Sequence, residues 1–196
     1  MGTAFCAHAA SDKPHHHVTL SSCLHFKRKL FFTVVAYRRR PILCDETIRS
    51  ALRAAIETVR VTRPFTIDAW VLLPDHLHCI WTLPEGDADF STRWMMIKRS
   101  VSLACRESHH RADWMTASKS KHRESTIWQR RFWEHRVRHE EDFIRHADYI
   151  HFNPVKHGNV QRVGDWPYST FHRYVRDGIY APDWAGCTNM EALEYD

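Results

Sequence analysis

The sequence predicts an α+β domain, a central antiparallel sheet with helices laid against it. Three observations carry this. Residues 26–37 are β-branched and aromatic on both faces of an extended chain. Residues 65–83 divide into two strand-length halves around Pro74 and Asp75. Between and after these stretches lie segments whose apolar residues recur at helical spacing.

The elements follow in order. Residues 26–37 read FKRKLFFTVVAY. Leu30, Phe32, Val34 and Ala36 share one side, and Phe31, Thr33, Val35 and Tyr37 the other, as in a central strand covered on both faces. Arg38, Arg39, Arg40 and Pro41 end it. Asp45 suits a helix N-cap, and Ile48, Leu52, Ala55, Ile56 and Val59 then form an apolar stripe that predicts a helix to about Arg60. Phe65, Ile67, Ala69, Val71 and Leu73 alternate along a second strand. A turn at Pro74 and Asp75 leads to a third strand that begins with His76, Leu77 and His78.

Residues 84–89 are turn-rich and acidic. Ser91 or Thr92 caps a second helix with Trp94, Ile97, Val101, Ala104 and Cys105 on one side. Residues 108–126 are polar, basic and aperiodic, and read as a mobile loop. Residues 127–137 interleave aromatics with arginines and fit a fourth strand. A third helix begins near Glu140, where acids suit the helix dipole. It is expected to end at Asn153, because the residue before a proline is pushed out of the α region. Gly158 is a second stop, and a short helix near residues 168–176 closes the chain. Strand–helix–strand followed by strand–helix–strand is the split βαβ, ferredoxin-like arrangement.

With 196 residues and 43% hydrophobic content, the chain supports one domain with a core, and no apolar run approaches the length of a membrane span. Residues 1–24, with the run His15-His16-His17, read as a flexible leader. Residues 25–186 read as the domain and 187–196 as a poorly ordered end. The six cysteines form no C-x-x-C pair, which argues against a zinc ribbon or a disulfide framework and for reduced thiols in the cytoplasm. Net charge is +5, but residues 91–138 hold 12 Lys and Arg against 4 Asp and Glu. A concentrated basic segment attracts a nucleic-acid backbone. An ordinary solvated surface gives the same count.

Two features bear chemistry. His76 and His78 are two apart on a strand, so their rings point to one side while Leu77 points to the other. Two imidazoles so placed can grip one metal ion. Taken alone, the alternation of polar and apolar residues is the simpler account. On the third helix, Phe143, Ala147 and Ile150 form an apolar stripe, and Tyr149 and Asn153, four apart, fall together on a different side, flanked by Arg145 and His146. A rim tyrosine beside a solvated arginine is the alternative. Together the two features meet the needs of metal-assisted phosphoryl transfer. Two imidazoles and an amide oxygen can hold a divalent cation with open positions, and the cation stabilises charge on a phosphate. A phenol, with an ordinary pKa of about 10, needs such help to attack. The product is a phosphotyrosine ester to DNA.

The stretches WVLLPDHLHCIWT at 70–82 and YIHFNPVKHGNV at 149–160, with the tail WPYSTFHRYVRDGIY at 166–180, resemble the REP-associated tyrosine transposases of bacteria. These belong to the single-tyrosine HUH (His-hydrophobic-His) transposases. The resemblance spans roughly residues 26–186. It implies that His76 and His78 are metal ligands, that Asn153 is the third ligand, and that Tyr149 is the nucleophile that takes the 5′ phosphate and frees a 3′ hydroxyl. It also implies Mg²⁺ or Mn²⁺ as cofactor and single-stranded DNA hairpins of REP palindromes as substrate. Related insertion-sequence enzymes often carry Gln at the third-ligand position and pair as dimers, so monomer and homodimer both stay open here.

Arg38, Arg39, Arg40, Lys98, Arg99, Arg130, Arg131, Arg136 and Arg138 are candidates for phosphate contact. Trp128, Phe132 and Trp133 are candidates for stacking on unpaired bases, although Trp133 fits the core at least as well. Two other classes compete with the transferase. One is a catalytically silent hairpin-binding protein. The other is a small zinc hydrolase, which lacks H-E-x-x-H and an acid placed as general base.

Overall fold

The computed structural model describes residues 28–186. The predicted leader at 1–24 and the C-terminal end at 187–196 lie outside them. Four strands form one antiparallel sheet: β1 (Lys29–Val35), β2 (Thr66–Leu72), β3 (His76–Thr82) and β4 (Trp133–Arg136), in the order β2-β3-β1-β4. With α1 (Glu46–Thr62) between β1 and β2, and α2 (Phe90–Ala104) between β3 and β4, this is the ferredoxin-like split βαβ topology.

The sheet is covered on both faces. Helices α1 and α2 pack on one, burying Leu30, Phe32 and Val34 of β1 with Leu77, Cys79 and Trp81 of β3. Trp81 stacks on Trp94 of α2 with ring centroids 4.3 Å apart and meets Phe65 at 4.1 Å. The long helix α5 (Glu140–Lys156) covers the other face, burying Phe31, Ala69, Val71, Leu73 and Ile80. The two-sided apolar pattern of the first strand therefore has its cause in two helical layers.

Strict alternation along the second strand is broken. Ile67 pairs with Trp81 and Ala69 with Ile80, which leaves Asp68 as an extra residue. The β-bulge switches faces: Phe65 and Ile67 join the α1–α2 side, and Ala69, Val71 and Leu73 the α5 side. The outer edge of β2 is closed by the tail. Leu72 N–H donates to Tyr168 O at 2.9 Å and Thr170 N–H to Trp70 O at 2.9 Å.

Three boundaries differ from expectation. The N-cap of α2 is Asp89, whose side chain accepts from Thr92 N–H, so the helix starts at Phe90 instead of following Ser91 or Thr92. The segment read as a mobile loop holds α3 (Arg106–His109) and α4 (Ala117–Lys121). These are too short to show a period, and tertiary contacts hold them: Arg40 Nη1 donates to His109 O at 2.8 Å, and the guanidinium groups of Arg38, Arg40 and Arg111 lie over the Trp114 ring.

Finally, α5 runs through Pro154 to Lys156. Pro154 sits in the last turn, so only one helical hydrogen bond is forgone. The end is then closed by Gly158 N–H to Val155 O and Asn159 N–H to Pro154 O, both 2.9 Å, with Gly158 at φ +67°. This left-handed closure satisfies the last carbonyls and offsets the lost bond. A last short helix, α6 (Phe171–Arg176), follows the tail strand contacts.

Candidate active site

The site lies on the α5 face of the sheet, where β3 and α5 meet. His76 and His78 point there with Ile80, while Leu77, Cys79 and Trp81 face α1 and α2. Both imidazoles are buried, and their centroids are 4.8 Å apart at 80°. Each ring is oriented through Nδ1. His76 Nδ1 bonds to Asp75 Oδ1 at 2.7 Å, and His78 Nδ1 lies 2.9 Å from Thr33 Oγ1, across the β1–β3 pair in which Thr33 faces His78. The Asp75 carboxylate only accepts, so His76 Nδ1 is the donor there and Nε2 is left as the atom that could ligate a metal; the Thr33 hydroxyl orients the His78 ring. Burial alone pushes the Asp75 carboxyl up. Its bonds and charge contacts with His76 and Arg39 outweigh that and hold it below the usual carboxylate range. Phe31 stacks on His78 at 5.5 Å and backs the pair.

Helix α5 runs one face along these histidines. The Tyr149 ring is 5.2 Å from that of His78, and the His157 ring, just past the helix end, is 5.1 Å from that of His76. Asn153 lies midway on the same i, i+4, i+8 line. It is fully buried, and neither polar atom of its side chain has a hydrogen-bond partner. A buried amide left unsatisfied costs about 1–3 kcal/mol, and a bound cation would remove that cost at the oxygen. Two imidazoles and one orphaned amide oxygen are therefore a donor set that fits a divalent ion.

Tyr149 is not on a solvent-facing side. It is 1% exposed and packs with Phe31, Ala147 and Ile150, because α5 is buried over a wide arc that takes in both predicted stripes. Arg145, expected beside it, is exposed. The cation over the phenol is Lys156, whose Nζ is 4.9 Å from the ring centroid. Seven residues from Tyr149, Lys156 lies on the same helical face. That spacing was the available signal, hidden by ending the helix at Asn153. No local signal marked Thr33, which reaches His78 from 45 residues away.

Behind Tyr149 the tail grips the helix. Tyr180 donates to Asp148, and His151 bonds through Nε2 to Thr170 Oγ1 at 2.9 Å. Desolvation, with Arg173 adding to it, drives the His151 imidazole down to about 3, so it is neutral.

The proposed phosphate contacts divide. Arg38, Arg39, Arg99, Arg130, Arg131, Arg136 and Arg138 are exposed. Arg39 reaches the site indirectly, through an ion pair of 3.2 Å to Asp75. Arg40 is half-buried against His109 O. Lys98 is turned inward: its Nζ donates to Gln129 O at 2.5 Å and Arg130 O at 3.0 Å, and burial lowers it to about 8. Of the aromatics, Trp128 is buried and Phe132 packs beside the core, whereas Trp133 is 41% exposed at the sheet edge.

No family model matches the chain. It is, however, 51% identical over 156 residues to the REP-associated tyrosine transposase of Escherichia coli strain K12, covering 80% of this chain and 84% of that one. The chain belongs to the REP-associated tyrosine transposase family. A Haemophilus influenzae protein with the same family name is 41% identical over 165 residues, covering 82% of this chain and 89% of its own. Among solved structures, a REP-associated tyrosine transposase bound to a REP hairpin matches with a TM-score of 0.69 and 46% identity, covering 87% of this chain and 94% of that one. Among the described residues, no helix is long and apolar enough to cross a membrane.

Proposed function

We propose that this family member is a metal-dependent single-stranded DNA endonuclease and strand transferase that acts on REP-type hairpins. The observation that carries the reading is the approach of the Tyr149 ring to within 5.2 Å of His78, with an orphaned Asn153 one turn further along α5. The hairpin-bound relative supports the substrate class.

His76, His78 and Asn153 would hold Mg²⁺ or Mn²⁺. Bound there, the cation supplies charge neutralisation at a phosphate oxygen. The Tyr149 hydroxyl loses its proton to solvent as its oxygen attacks phosphorus. A bond forms between its oxygen and phosphorus as the bond to the 3′ oxygen breaks, which leaves a 5′-phosphotyrosine and, after protonation, a free 3′ hydroxyl. Lys156 over the ring favours the negative charge that the phenol develops. Asp75 and Thr33 hold the two imidazoles in register. Because Tyr149 is buried, access to its hydroxyl requires an opening movement when DNA arrives. Within one chain the Tyr149 ring already lies 5.2 Å from His78, which supports cleavage in cis.

A labelled hairpin with flanking single strand, incubated with Mn²⁺, should give a covalent protein–DNA adduct that chelator abolishes. An adduct that survives in Tyr149→Phe would sink the proposal. A mixture of Tyr149→Phe chains with His76→Gln/His78→Gln chains should stay inactive, whereas recovery would mean that one chain's tyrosine serves another's histidines.

A further inference from the structure

A second group of ligand-bearing side chains sits beside the site without belonging to it. His135 lies on β4 opposite Phe31 of β1, and so faces α5. Asp142 and His146, four apart, share one face of α5 at its first turns. One ligand atom from each of the three falls within 4.8 Å of the others. His135 Nε2 donates to Asp142 Oδ2 at 3.1 Å, and His146 Nδ1 donates to the Asp142 main-chain O at 2.7 Å and lies 3.1 Å from Asp142 Oδ1, bonds that a metal ion would replace. The His135 and His146 rings stack at 4.9 Å and 15°. Asp142 and His146 are buried, whereas the His135 side chain keeps 25% exposure.

We propose that His135, Asp142 and His146 form a second metal site, for a borderline divalent ion of the Zn²⁺ class. Two imidazoles and a carboxylate are the donors such an ion prefers, with ligand atoms about 2.0 Å from the metal. Ligand atoms about 2.0 Å from a tetrahedral ion lie about 3.3 Å apart, so metal binding requires the widest pair of the cluster, within 4.8 Å in this structure, to close by about 1.5 Å and the stacked His135 and His146 rings to turn toward a common point. The partly exposed His135 leaves a path for water to the fourth position. A site of this kind is separate from His76 and His78. The Phe31 ring stands between them, 5.5 Å from the His78 ring and 4.8 Å from the His146 ring. Its effect would be mechanical. It ties the short edge strand β4 to the first two turns of the helix that carries Tyr149, from Asp142 to His146, the latter about one turn before that residue. Asp142 already does this weakly, since its Oδ2 also accepts from Arg138 N–H at 2.9 Å.

Zinc stoichiometry and thermal stability test this on the full chain, with His15, His16 and His17 replaced by Ser to remove loose binding by that run. Against this parent, His135→Ala and Asp142→Asn should each bind one zinc fewer. Saturating zinc should raise the parent's Tm by about 5 °C or more at a hundredfold excess over Kd, and should raise it by less in either variant, which keeps only the His76 and His78 site. A His76→Gln/His78→Gln variant of the parent should keep the zinc that His135→Ala loses, which separates this site from the catalytic proposal. His135 is on an edge strand, so its replacement stands as the measurement if Asp142→Asn does not fold. Equal zinc binding by parent and His135→Ala, or no zinc bound by His76→Gln/His78→Gln, would overturn the proposal.

Discussion

Replacing Asp75 by Ala tests whether the histidine pair is a prepared metal site. Asp75 bonds to His76 Nδ1 at 2.7 Å and is itself held by Arg39 at 3.2 Å, so the imidazole is oriented by a carboxylate kept ionised. Loss of an oriented outer-shell carboxylate of this kind costs about 10–100-fold in metal affinity, which is about 1.4–2.8 kcal/mol. Thr33 makes the matching bond to His78 at 2.9 Å, but with a neutral hydroxyl. A neutral hydrogen bond contributes about 1 kcal/mol, or roughly fivefold. The assay is Mn²⁺ titration of covalent adduct formation on a hairpin, read as the metal concentration at half-maximal rate. Asp75→Ala should move that midpoint up by one to two decades, as an estimate from the same outer-shell principle, and Thr33→Val by less than one. Rates at saturating metal should fall less than the midpoints move. A midpoint unchanged in Asp75→Ala, or a larger shift in Thr33→Val, would refute the reasoning.

Three more outcomes are expected. Lys156→Met should slow adduct formation about three- to tenfold at saturating metal, and Lys156→Arg should keep most of the rate. Arg136→Gln should weaken hairpin binding and lower the slope of log affinity against log salt by about 0.7–0.9, whereas Lys98→Gln, whose ammonium is spent on two carbonyls, should lower Tm and leave that slope unchanged. His151 is neutral in the fold with a pKa of about 3 and near 6.5 when unfolded, so the unfolded chain binds more protons between those values and stability falls as pH drops below 6.5. The loss from this residue is roughly 2 kcal/mol at pH 5. Urea unfolding with chelator present, at pH 7.5 and 5.0, should show a shallower pH dependence in His151→Gln, and an identical one would contradict the assignment.

Much of this was legible in the residues. The strand β1 announces itself because it is apolar on both faces, β3 because it follows a turn at Pro74 and Asp75 with alternating residues, and α1 because five buried positions share one stripe. Side-chain period puts the two histidines on one face of β3 and Tyr149 with Asn153 on one line of α5, but it sets that line apart from the apolar stripe with which Tyr149 is in fact buried. What the period could not carry was anything set by distant partners. The bulge at Asp68 reverses the faces of β2 with no local mark. The burial of Tyr149 depends on how wide an arc of α5 the sheet covers. The continuation through Pro154 depends on a closure at Gly158 that lies beyond the proline. That last misreading had a functional consequence, since it detached Lys156 and His157 from the face that carries Tyr149.

The central claim is that β3 supplies the metal ligands and α5 the nucleophile of one site. The most direct test is to trap the covalent adduct on a labelled hairpin with Mn²⁺, digest it, and locate the modified residue by mass spectrometry. The account predicts a 5′-phosphotyrosine at Tyr149, formed only with metal and lost in His76→Gln/His78→Gln. An adduct on any other residue, or one at Tyr149 that forms equally well without metal or without the two histidines, would contradict it.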